Sequence, residues 1–149
     1  MRVVLQRVDN ASVEFDNTKN SIDKGLLVLL GVTNDDTEND IDYLIKKISN
    51  LRIFEDEDNK MNYSVQDIKG SILLVSNFTL YANTKKGNRP SFTNSMSYED
   101  AKKMYELFIE KFKETNIPIK TGEFGADMKI TLTNDGPVTI IIDSKEDNL

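Results

Sequence analysis

The chain has 149 residues, enough for one domain, with 38% hydrophobic and 30% charged residues and a formal net charge of −6. It contains no Cys and no His, which excludes disulfides, cysteine nucleophiles, Cys-bearing zinc sites and every Ser-His-Asp triad. The acidic balance argues against broad, non-specific nucleic-acid binding, and no apolar run approaches the roughly 20 residues of a membrane span.

The N-terminal residues MRVVLQRV alternate and carry charge, without the apolar core of a signal peptide, so the expected location is cytoplasmic. Arg2–Phe15 predicts a strand, with Val4, Gln6 and Val8 on one side and Val3, Leu5 and Arg7 on the other. The next residues, DNTKNS, have turn chemistry, and Gly25 and Gly31 bracket a second, buried strand. Thr37 and Asp40 match the spacing of a capping box. Ile41, Leu44, Ile45 and Ile48 then share one face of a first helix. LRIFED is read as a strand extension, and the polar stretch EDEDNKMNYSVQDIKG as a loop-rich connection with a solvent-facing acidic run. Ser71–Ala82 predicts one strand, buried on both faces for most of its length. Ser97 caps a second helix whose apolar stripe is Ala101, Met104, Tyr105, Phe108 and Phe112, with a charged, solvated outer face. IPIKTGEF, DMKITLT and PVTIIID close the chain as strands. The order predicts one compact α/β (α+β) domain over 1–149. Its sheet is mixed or antiparallel, or barrel-like, and two main helices pack on it.

Four short motifs stand out. SNFTLYA sets Ser76, Asn77 and Thr79 in an apolar strand, where buried hydroxyls and amides require partners. Read locally it is a strand end; read functionally it is a polar cluster beside a basic loop. That loop, KKGNRPSF, holds Lys85, Lys86 and Arg89 with no acid. Arg suits phosphate and Phe92 can stack on a base, though a plain solvated loop fits the composition as well. TGEFGADM places Phe124 between two glycines, and is either a turn or a site of close backbone approach. NDGPVT reads locally as a hairpin turn with an ordinary trans X-Pro bond. No isolated pair of carboxylates suits acid/base work.

Together, in this order and spacing and with the opening MRVVLQRV, the four motifs resemble the D-aminoacyl-tRNA deacylases (D-tyrosyl-tRNA deacylases) from the first residue to about Asp143. The resemblance implies a compact homodimer that hydrolyses the ester between a D-amino acid and the terminal adenosine of tRNA, and also clears glycine mischarged on tRNA. It implies no metal and no cofactor. It carries Ser76, Asn77, Phe78 and Thr79 onto the catalytic motif, with Asn77 standing where the family usually has Gln. It carries Asn134, Gly136, Pro137 and Thr139 onto a substrate-binding motif whose Gly-Pro bond is cis and enters the partner subunit's site, rejecting an L side chain. Arg7 matches the position that braces this loop. Phe124 and Met128 are candidates for an adenine pocket, and Lys85, Lys86 and Arg89 for contacts with the terminal tRNA phosphates. The expected chemistry uses backbone N–H groups around Phe78 and Thr79 for the oxyanion, with help from the tRNA's own ribose hydroxyl. Thr79 as a covalent nucleophile ranks lower, because no side-chain base accompanies it. The rivals are a non-catalytic binder of nucleic-acid or tRNA ends with a degenerate site, and a small-molecule binding protein.

Overall fold

A computed structural model describes residues 1–146. Its spine is β1 (Arg2–Phe15). One edge of β1 carries β3 (Gly25–Gly31) along its first half and β2 (Thr18–Ile22) along its second. The other edge carries β8 (Lys129–Asp143) along nearly its full length, and all three pairings are antiparallel. Beyond β3 lie β6 (Ser71–Ser76) and then β7 (Ile119–Thr121), both paired in parallel. The sheet is therefore mixed, with six strands. A separate small hairpin joins β4 (Phe54–Glu55) to β5 (Met61–Tyr63).

Parallel neighbours require crossovers, and the two helices lie in them. Helix α1 (Glu38–Asn50) lies between β3 and β6, and α2 (Tyr98–Lys113) between β6 and β7. The Asp40 carboxylate accepts the Thr37 N–H at 2.7 Å, closing the expected capping box. Ser97 caps α2 through the Asp100 N–H. Both apolar stripes face the sheet: Ile41, Leu44, Ile48, Phe108 and Phe112 are essentially inaccessible.

Alternation along β3 and β6 explains how one sheet holds two cores. Leu26, Val28, Leu30, Ile72 and Leu74 pack with the helices. Leu27, Leu73 and Val75 point the other way and join Val8, Ala11, Val13 and Ile22, where the long β1 continues past β3 to pair with β2. Continuous apolar runs are what strands covered on both faces need.

Three expectations change. The stretch Ser71–Ala82 is not one strand: β6 ends at Ser76, and Phe78–Tyr81 form a 3₁₀ turn. Asn77 diverts the backbone, because its side-chain oxygen accepts the Thr79 N–H and offers the chain an alternative to the ladder. DMKITLT and PVTIIID are not two strands of a hairpin, since both halves belong to β8 and pair with β1. LRIFED contributes only the two-residue β4.

Candidate active site

The parallel strands β3 and β6 both end at a cavity of about 640 Å³. Ligands commonly sit beyond the carboxyl ends of parallel strands, where side chains and loops converge. The end of β6 and the following turn supply Ser76, Asn77 and Phe78 to its wall. Residues 92–98 supply Phe92, Ser95, Met96 and Tyr98, and the stretch before β8 supplies Phe124, Gly125, Ala126 and Met128. No Asp, Glu, Lys or Arg lines it.

Aromatic pairs form the rim. Phe78, 60% exposed, meets Phe92 edge-on with centroids 5.0 Å apart. Tyr98, also 60% exposed, meets Phe124 edge-on at 5.2 Å. Phe124 in turn leans on Tyr105 at 5.5 Å, so this wall is anchored in α2. Burial pushes the Tyr105 phenol well above its ordinary pKa, and its hydroxyl donates to the Leu74 carbonyl. Exposed aromatics gathered around a concavity provide flat surfaces for a ring-bearing ligand.

The polar geometry centres on Asn77. Its backbone N–H donates to the Leu30 carbonyl at 2.8 Å, holding the end of β6 against β3. Its Oδ1 accepts the Thr79 N–H at 3.2 Å and the Thr79 hydroxyl at 2.5 Å. The Thr79 N–H is thus engaged inside the turn. The Thr79 hydroxyl gives its proton to a neutral amide, which is no base. Thr79 itself lies just outside the cavity wall.

The Gly-Pro element is built differently. In the register of β8 on β1, Thr139 faces Gln6 and Asn134 faces Val8, so 135–138 bulge out opposite Arg7 alone. Pro137 sits in this bulge, where no ladder bond is required of it. Asn134 ties the base of the bulge: its Oδ1 accepts the Val138 N–H at 2.9 Å, and its Nδ2 reaches the Thr139 hydroxyl at 3.2 Å. Arg7, only 5% exposed, donates to the carbonyls of Asp135 at 2.9 Å and Ile53 at 2.8 Å, and the carboxylates of Asp135 and Glu55 balance its charge. The Gly136–Pro137 bond is cis, as the family resemblance implied and the local reading did not. Gly136 and Pro137 are exposed, and neither lines the cavity of its own chain.

Lys85, Lys86 and Arg89 are exposed on a loop closed at its base by paired Asn83 and Ser91 backbone bonds of 2.8 and 2.9 Å. They stand outside the cavity, and Phe92 at the end of the loop enters its wall. The structure therefore brings together Ser76, Asn77, Phe78, Phe124 and Met128. It sets apart the bulge with Arg7, Asn134, Gly136, Pro137 and Thr139, and the basic loop. The sequence reading missed Tyr98, Ser95 and Met96. Only Tyr98 carried a signal, as an aromatic directly after the α2 cap where no core stripe requires one. No group of three or more carboxylates converges to hold a metal among the described residues.

Comparison with known proteins gives a consistent answer. A family model described as D-Tyr-tRNA(Tyr) deacylase matches residues 4–143. A D-aminoacyl-tRNA deacylase of Finegoldia magna is 57% identical over 148 residues, 99% of this chain and 100% of that protein. One from Thermosipho melanesiensis is also 57% identical, over 98% of this chain and 99% of the relative. A solved structure titled c-Myc DNA Unwinding Element Binding Protein superposes with a TM-score of 0.90 at 42% identity, over 96% of this chain and 98% of that one. A probable eukaryotic D-amino acid tRNA deacylase, 17% identical with a TM-score of 0.82 over 95% and 97% of the two chains, shares the fold. The chain belongs to the D-Tyr-tRNA(Tyr) deacylase family.

Proposed function

We propose that the protein hydrolyses the ester bond of D-aminoacyl-tRNA, and of glycine mischarged on tRNA, in a site completed by two copies of the chain. The observation that carries this reading is the separation of two half-sites. One is a neutral, aromatic-rimmed cavity. The other is an exposed Gly136–Pro137 bulge on β8, which pairs only with β1 among the described residues and so has an open edge. Ile141 on that strand is 53% exposed, an apolar surface suited to a second copy.

In this reading the terminal adenine enters between the aromatic walls, against Phe124 and Met128. Lys85, Lys86 and Arg89 meet the last phosphates, so an acidic protein needs only a small local cation cluster to hold a tRNA end. The partner's bulge presents backbone to the α-carbon of the amino acid and leaves no room for an L side chain.

Water adds to the ester carbonyl, the acyl C–O bond breaks, and the ribose 3′ oxygen leaves with a proton. The Phe78 N–H and the Asn77 Nδ2, which makes no hydrogen bond among the described residues, stabilise the oxyanion. The intrinsic reactivity of an aminoacyl ester and the neighbouring ribose hydroxyl take the place of a side-chain base. Binding in a fixed orientation supplies much of the rate enhancement. Thr79 is disfavoured as a nucleophile, because its hydroxyl donates to an amide oxygen and no side-chain base accompanies it.

The test is to incubate the protein with D-Tyr-tRNA, L-Tyr-tRNA and Gly-tRNA and to follow ester loss. Fast loss of the D and glycyl esters with the L ester preserved is the expected result. Survival of all three esters would overturn the assignment; retained tRNA binding in that case would identify a non-catalytic binder of the acceptor end.

A further inference from the structure

The 3₁₀ turn that carries Phe78 and Thr79 has no buried residue of its own. Leu80 and Tyr81 are half-buried against Gly31 of β3, but Phe78 and Thr79 at the front are exposed, so the position of the turn depends on tethers. One tether is the Ser95 hydroxyl, which donates to the Phe78 carbonyl at 3.1 Å at the front of the turn. The tethers at its back converge on a residue distant in sequence. Arg2 Nη1 donates to the Leu80 carbonyl at 3.1 Å, and the guanidinium lies over the Tyr81 ring, 4.9 Å from its centroid.

Arg2 is itself fixed. Its Nε donates to Asp143 Oδ2 at 2.9 Å, and the Asp143 side chain is only 4% exposed. Sheet register accounts for the arrangement: Gly31 of β3, Arg2 of β1 and Asp143 of β8 lie in one row across three strands. A Cβ at Gly31 would stand 3.0 Å from Leu80 Cβ and 3.2 Å from Tyr81 Cδ2. The absent side chain at one end of the row is what lets the turn sit down on the sheet. The carboxylate at the other end orients the guanidinium that grips it. A planar fork with several donors suits this three-way contact, and an ammonium does not.

We propose that Arg2 is a positioning residue of the deacylase site, clamping the 3₁₀ turn to the strand that bears the Gly136–Pro137 bulge. This rests on the function proposed above. Arg2 touches no substrate; it acts through the placement of the Phe78 N–H and Asn77. The clamp also ties this turn to the far end of β8, so one side chain aligns both half-sites that a chain contributes.

The test compares full-length wild type, Arg2→Met, Arg2→Lys, Asp143→Asn and the Arg2→Met/Asp143→Asn double variant. The readouts are single-turnover hydrolysis of D-Tyr-tRNA, substrate affinity, and hydrogen exchange resolved by segment. For Arg2→Met the rate constant should fall about ten- to a hundredfold with affinity changed less than about threefold, the signature of misplaced catalytic groups. Exchange should rise in 77–82 while β3 and β6 stay protected. Arg2→Lys should recover only part of the rate, and the double variant should be no slower than Arg2→Met alone. An unchanged rate, full recovery by Lys, or a loss of protection spread evenly over the chain would overturn the proposal. Hydrogen exchange in 77–82 reads the clamp without reference to turnover, so a failure of the deacylase reading itself would show separately.

Discussion

Asn77 and Gly136 show how much single residues decide. At Asn77 a short amide closes two bonds inside its own turn, which a side chain one methylene longer would have to make from a different backbone position. The residue thereby caps the turn, and it also lines the cavity. At Gly136 the constraint is steric. Its φ is +151°, and a Cβ there would lie 2.6 Å from the Val138 nitrogen and 2.7 Å from Val138 Cγ2. Strain of this kind costs about 1–3 kcal/mol where surrounding bonds resist relief, and Asn134 and Arg7 provide that resistance. Gly136→Ala is therefore expected to move the bulge, lowering D-Tyr-tRNA hydrolysis about a hundredfold. A steady-state assay beside a melting curve checks this. A wild-type rate in the alanine variant would show that the bulge does not meet the substrate.

The elements differ in how openly the sequence displays them. β1, β3 and both helices are legible because period-2 alternation, a continuous apolar run and 3.6-residue stripes each match one environment. The caps are legible too, since Thr37 and Ser97 stand just ahead of the stripes. The 3₁₀ turn is not. Phe78, Thr79, Leu80 and Tyr81 have strand-favouring side chains, and only the Asn77 side-chain bond redirects them. The β8 bulge is hidden for a similar reason: Asn-Asp-Gly is hairpin chemistry, and nothing local reveals that both flanks pair with the same β1. Helix α2 carries a prediction at this scale. Its cap, Ser97, precedes Tyr98 on the cavity rim, so Ser97→Ala should cost about 1 kcal/mol, seen as a lower denaturation midpoint in urea. A midpoint unchanged within error would mean that solvent caps α2 equally well.

Across the whole molecule the cavity draws on four separate stretches of chain, from Leu30 to Ile130. SNFTLYA and TGEFGADM, which stand out in the sequence, both line this cavity, but Tyr98 opposite Phe124 is not visible there, since that contact exists only after α2 docks. Charge is likewise organised over long distances. Asp40 on α1 sits beside Ser144 and Lys145 from the end of the described chain. Burial alone would raise its pKa. The bonds from Ser144, the Thr37 N–H and Lys145 outweigh that and hold it down at about 2 against an ordinary 3.8. A depressed carboxylate contributes stability that is fully present above the unfolded value and is lost as pH falls through the folded one. Asp40 should thus contribute about 2 kcal/mol above pH 4, lost between about pH 4 and 2. Asp36, paired with the Met1 ammonium, shifts the opposite way because burial dominates, and partly offsets the loss. Urea denaturation at a series of pH values, with Asp40→Asn compared to wild type, should show the two curves converging below pH 3. A constant gap down to pH 2 would contradict the assignment.

The central claim is that one chain's cavity and another chain's Gly136–Pro137 bulge form a single site, and subunit mixing tests it most directly. One variant, Gly136→Ala, keeps the cavity; a second, Asn77→Ala with Thr79→Ala, keeps the bulge. Each alone should be nearly inactive on D-Tyr-tRNA. Equal mixing with subunit exchange, verified by native mass spectrometry, makes half the dimers mixed, each with one intact site. About a quarter of wild-type activity should return. Verified mixed dimers with no recovered activity would show that the two half-sites do not work across the subunit boundary.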